Sequence, residues 1–122
     1  MYSELKEIEE LAEKVLEENQ EDLQDCYGQP VRIKYLVKDS KKSQFLGKCC
    51  KTSGPWKFLT DFDFVIIIWG QWWNSAHENE KKALLFHELK HIKMDEKEDE
   101  EGNIEICWKL KKHFAEVFSE EI

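Results

Sequence analysis

Residues Ala83 to Met94 read ALLFHELKHIKM, and at their centre stand His87, Glu88 and His91. On an α-helix, side chains four residues apart lie one above the other on the same face. His87 and His91 can therefore aim one imidazole nitrogen each at a single point, which suits two ligands of a zinc ion. Glu88 follows the first histidine directly and can reach a water on that ion without ligating it. Zinc brings the pKa of such a water close to neutrality, and a neighbouring carboxylate can accept its proton. The H-E-x-x-H spacing thus gives each residue a separate task in hydrolysing a peptide bond.

A catalytic zinc site uses three protein ligands and keeps its fourth position for water. The only histidine C-terminal to the motif is His113, in KLKKHFAEVF, where it shares a helical spacing with Leu110 and Val117. Imidazole is the commonest ligand for such a metal, which favours His113. Glu116, Glu105 and the carboxylates of the acidic stretch Asp95 to Asn103 are the alternatives. Tyr35, Tyr27 and His77 are candidates for a side chain that steadies the oxyanion. The acidic stretch does not make a calcium loop. Aligning Gly102 with the required glycine puts Lys97 at the first ligand position and Trp108 at the last.

The elements that must position these groups follow from periodicity. SELKEIEELAEKVLEENQEDL places Leu5, Ile8, Leu11, Ala12, Val15 and Leu16 at helical spacing, with Ser3 as N-cap. Gly28 and Pro30 end that helix. Val31 to Val37 alternates as a strand with one wet side, Phe45 to Lys51 forms a second, and Phe62 to Gly70 is a third and well-buried one. The motif helix begins between Ser75 and Asn79, with Ser75 and Glu78 as a capping box or Asn79 as the cap, and runs to about Met94. Asp95 to Asn103 is an acidic loop, and a last helix covers roughly Ile106 to Glu120. The expected fold is α+β, with an N-terminal helix, a three-stranded sheet, the motif helix and a C-terminal helix. In this arrangement Phe64 to Trp69, the last strand before the motif, is the one expected to pair with extended substrate. Trp69 to Trp73 is expected to pack the core and cover the motif helix.

A chain of 122 residues suits one domain spanning residues 1–122. Its formal net charge of -8 disfavours a broad footprint on nucleic acid or anionic membrane. The N-terminus reads as a charged helix rather than a signal peptide, and Phe64 to Trp73 is too short to span a bilayer. Cys26, Cys49, Cys50 and Cys107 have no C-x-x-C spacing and make a poor disulfide framework. A reduced, cytoplasmic protein is expected.

The segments DFVIIIW (Asp63 to Trp69), ALLFHELKHI (Ala83 to Ile92), GN (Gly102 and Asn103) and HFAEVF (His113 to Phe118) resemble the metallopeptidase domains of phages and archaea. The likeness covers about the last half of the chain, with weaker similarity from Val31 onward. SprT-like zinc peptidases are a more distant likeness. The resemblance implies a minimal zincin-like fold, a protein or peptide substrate, Zn2+ held by His87, His91 and His113, and Glu88 as general base. One position departs from the family pattern, because Phe114 stands where an aspartate is usual. That departure keeps a second class in view, a non-catalytic metal-binding or interaction module of a mobile element.

Overall fold

The computed structural model describes residues 1–52 and 55–111, with Trp56 and Phe58 described by their backbone alone. Strand β1 (Tyr2–Ser3) leads into helix α1 (Lys6–Glu18), followed by β2 (Ile33–Lys38), β3 (Gly47–Lys51) and the short helix α2 (Pro55–Thr60). Then come β4 (Phe64–Trp69), α3 (Gly70–Ser75), α4 (Glu78–Leu89), β5 (Ile92–Glu98) and β6 (Ile104–Leu110).

The fold is α+β, with the main sheet ordered β1-β2-β4-β3. It has one strand more than the expected three, because Tyr2 and Ser3 pair antiparallel with Lys38 and Val37. Ser3 is therefore not the cap of α1. The helix starts at Lys6, and the capping position is Leu5, whose side chain cannot accept a hydrogen bond. β2 and β4 run parallel, with Tyr35 opposite Ile66, and β3 runs antiparallel to β4, with Cys49 opposite Ile66.

Alternation sorts each strand onto two faces. Phe64, Ile66 and Ile68 of β4 are buried, as are Tyr35 of β2 and Cys49 of β3. On that face lie α1, through Ile8, Leu11, Ala12 and Val15, and α4, through Leu84, Leu85 and Leu89. Trp73 of α3 is enclosed in the same core, and its Nε1 donates to Glu7 Oε1 of α1 at 2.8 Å. The Lys81 ammonium of α4 sits 4.8 Å from the centre of the Trp73 ring. This tryptophan therefore joins α1 to α4, in the packing role expected of it.

Two stretches expected as helix are strand instead. α4 stops at Leu89, and Ile92 to Met94, read as its last turn, begin β5. Ile106 to Leu110, read as the start of the closing helix, belong to β6, and the rest of that span lies outside the described residues. β5 and β6 pair antiparallel from Ile92 with Leu110 to Glu98 with Ile104. The expected acidic loop is thus largely hairpin. Its turn is closed by Asp99, whose carboxylate accepts the N–H groups of Glu101 (2.9 Å) and Asn103 (2.8 Å). Among the described residues no helix is long and apolar enough to cross a membrane.

Candidate active site

α4 carries His87 and Glu88 among its buried residues, with Leu84, Leu85 and Leu89. The helix is capped at His77, whose backbone N–H donates to Glu80 at 3.1 Å. Ser75 belongs instead to the end of α3, where its hydroxyl donates to the carbonyls of Gln71 and Trp72. His77 therefore stands at the opposite end of α4 from His87, about 15 Å away at 1.5 Å per residue, and is not brought to the motif. Tyr35 lies in the core on the row of Ile66 and Cys49, and Tyr27 is exposed after α1.

His87 and Glu88, 6% and 3% exposed, sit in the last turn of α4 among Leu84, Leu85 and Leu89. His91 lies just past the helix end, yet its N–H still donates to the Glu88 carbonyl at 3.1 Å. That last tight turn keeps the helical direction, so the two imidazole rings stand 5.2 Å apart at an interplanar angle of 83°. One ligand atom from each of His87, Glu88 and His91 lies within 4.8 Å of the other two. Among the described residues this is the group that could hold a metal ion.

Hydrogen bonds fix what each ring presents. His91 Nδ1 meets the carbonyl oxygen of Lys111, and Lys111 N–H donates back to the His91 carbonyl at 2.7 Å. A carbonyl only accepts, so Nδ1 must carry the proton, and in the neutral ring Nε2 keeps a lone pair. That nitrogen lies 3.8 Å from Glu88 Oε1. A metal-binding imidazole needs this same tautomer, oriented by its other nitrogen. Burial lowers the pKa of both histidines, that of His87 to about 4 with the nearby His91 adding to the effect. Neutral imidazole is the form that binds a metal, and the donor set fits one.

Glu88 is positioned from the sheet. Leu46 and Thr52 flank β3 and pair with β4: Trp69 N–H donates to Leu46, and Thr52 N–H donates to Asp63. Antiparallel alternation then turns the backbone groups of Gly47, Cys49 and Lys51 toward the edge away from β4. The Cys49 N–H uses that direction to donate to the Glu88 carboxylate. A close approach permits it, since a Cβ on Gly47 would stand 3.2 Å from the Leu84 side chain of α4. Burial raises the Glu88 pKa to about 7, against the opposing Cys49 hydrogen bond. A carboxyl poised near neutrality can both accept and return a proton at the working pH of most enzymes.

The edge position of β3 corrects one expectation. β4 is bonded to β2 on one side and to β3 on the other, so it has no edge left for a substrate strand. β3 is the edge strand beside the motif. Cys49 and the position of β3 are the features the sequence reading missed. No spacing signal marks either, because both depend on strand order. His113 and Glu116 lie outside the described residues, and Glu105 sits on β6. Searches of curated proteins and of solved structures found no match. A family model does match, over residues 1–122, and the chain therefore belongs to the family described as "Putative phage metallopeptidase".

Proposed function

We propose that the chain is a zinc-dependent peptidase whose ligands are His87, His91 and His113 and whose general base is Glu88. The observation that carries the reading is the meeting of His87, Glu88 and His91 within 4.8 Å, with His91 held in the metal-binding tautomer by Lys111. Bound zinc would polarise the scissile carbonyl and acidify the attacking water. Glu88 takes the proton from that water and returns it to the leaving amine, a shuttle its raised pKa suits. The burial of Glu88 and His87 limits competing bulk water. The Lys111 backbone is bonded to His91, and His113 lies two residues further on, a span of about 7 Å at most. That reach supports His113 as third ligand over Glu116. Among the described residues no strand pairs with the outer edge of β3, and an extended peptide can add there beside Glu88 through the backbone groups that the Cys49–Glu88 bond leaves open.

The test is metal content and proteolysis of a denatured protein, for wild type and Glu88→Gln. Zinc held by both, with cleavage by wild type alone, is the expected result. Failure of both to hold zinc when it is supplied removes the metal reading. Zinc held by both with cleavage by neither leaves a non-catalytic module. His113→Ala should weaken zinc binding far more than Glu116→Ala, and the reverse order reassigns the third ligand.

A further inference from the structure

The sheet face turned away from α1 and α4 carries a cavity of about 580 Å³. Its apolar lining comes from Leu36, Val65 and Phe62, with Lys34 on the same face, and Lys51, opposite Phe64 in register, borders it at the end of β3. The volume is within the range of ligand sites. The rim is basic in a chain of net charge -8. Lys34 is paired with Glu4, whereas the structure gives Lys51 no carboxylate partner among the described residues. Two rings on this face already have cations against them: Lys34 and Arg32 over Phe62, and Lys38 and Lys48 over Phe45. Stacked bases would need those ring faces free, so the chemistry favours a protein segment, an apolar anchor flanked by carboxylates.

The chain itself displays such a segment. In the β5–β6 hairpin the face bearing Ile92 and Leu110 packs on the body, and Met94 and Trp108 continue it. There Asp25 clasps the hairpin, accepting Met94 N–H on its carboxylate at 3.2 Å and Trp108 Nε1–H on its carbonyl at 3.2 Å. Beyond that clasp the same face runs on into Ile106 and Ile104, which are 52% and 67% exposed. Their cross-strand partners are Glu96 and Glu98. Two isoleucines flanked by two glutamates therefore project from the body on a paired, preformed ribbon. They complement an apolar cavity flanked by lysines in both shape class and charge.

The geometry points to a copy-to-copy contact in which the hairpin tip of one molecule docks Ile104 and Ile106 into the Leu36–Phe62–Val65 cavity of another. Glu96 and Glu98 then face Lys34 and Lys51. The contact joins two different surfaces, so it is head-to-tail and leaves a pair with a free cavity on one copy and a free hairpin on the other. It uses the sheet face opposite α4 and is independent of the metal reading.

The test is solution mass by sedimentation velocity, over a range of concentration at low and high salt. Three samples are needed: wild type, the cavity-side variant Lys51→Glu, and the hairpin-side variant Ile104→Ser/Ile106→Ser. These positions are exposed, and circular dichroism checks that each variant folds. Wild type should rise above monomer mass with concentration and fall back as salt screens the lysines. Lys51→Glu should weaken assembly roughly fivefold, and the double serine variant by at least about tenfold. At concentrations where neither variant assembles with itself, a mixture of the two should still form one-to-one dimers, because it pairs an intact cavity with an intact hairpin. A wild type that stays monomeric throughout overturns the proposal, as does assembly that neither variant changes. A monomer whose cavity nevertheless binds a synthetic peptide of residues 96–108 also overturns it, and assigns the cavity to a separate acidic protein.

Discussion

Replacing Glu88 by Gln should stabilise the metal-free protein at neutral and alkaline pH. Gln keeps an oxygen to accept the Cys49 N–H but cannot ionise. The folded-state pKa of Glu88 is raised to about 7 from an ordinary 4.5, with burial as the cause. A raised carboxyl pKa means that the folded state resists ionisation more than the unfolded state does. Stability from this group is therefore fully present below about pH 4.5 and is lost as pH rises through about 7. A shift of this size corresponds to about 3 kcal/mol at 1.36 kcal/mol per pKa unit. Urea unfolding in the presence of a chelator, repeated from pH 4 to pH 8, measures it. The lowered pKa of His87 acts in the other direction, destabilising the fold as pH falls from about 6.5 toward 4. Both proteins share that loss, so it largely cancels in the difference between them. The difference should grow in favour of Glu88→Gln by about 3 kcal/mol between pH 4.5 and pH 8. A difference that does not vary with pH would falsify the assignment of Glu88 as a buried, desolvated carboxyl.

Two other substitutions probe the scaffold. Gly70→Ala puts a Cβ 2.8 Å from Val37 Cγ1 and 3.3 Å from the Lys38 carbonyl, at the junction of β4 and α3. It should cost about 1–3 kcal/mol in denaturant unfolding, and an unchanged midpoint would contradict the packing at that junction. Asp25→Ala removes the acceptor of the Met94 N–H, at about 1 kcal/mol. Because the same hairpin carries Lys111 to His91, it should also weaken zinc binding measured by competition with a chelator, and unaltered zinc affinity would detach the hairpin from the site.

Much of the site was legible in the sequence because its chemistry is local. His87, Glu88 and His91 need only a helical turn to converge, and the turn through Lys90 supplies it even though α4 ends at Leu89. The hairpin was misread for a physical reason. Ile92 and Met94 fit both a helical continuation and a strand, and Leu110 shares helical spacing with Phe114 and Val117. The period of two in Ile104, Ile106, Trp108 and Leu110 was the better signal, with an acidic turn ending in Gly102 before it. β3 as the edge strand was not legible at all. Its place depends on β2 and β4 pairing in parallel and leaving β3 outside, which is decided by tertiary packing rather than by any residue of β3. His113, favoured from the sequence as a third ligand, lies outside the described residues.

The proton on His91 Nδ1 is held by the main chain of Lys111, through a carbonyl that every amino acid possesses. A substitution scan at position 111 would therefore leave the tautomer of His91 intact whatever side chain it introduced. Proline alone would disturb the clasp, by removing the N–H that returns to the His91 carbonyl. The control over this imidazole is written in the path of the chain, and mutational maps that score side chains will pass over it.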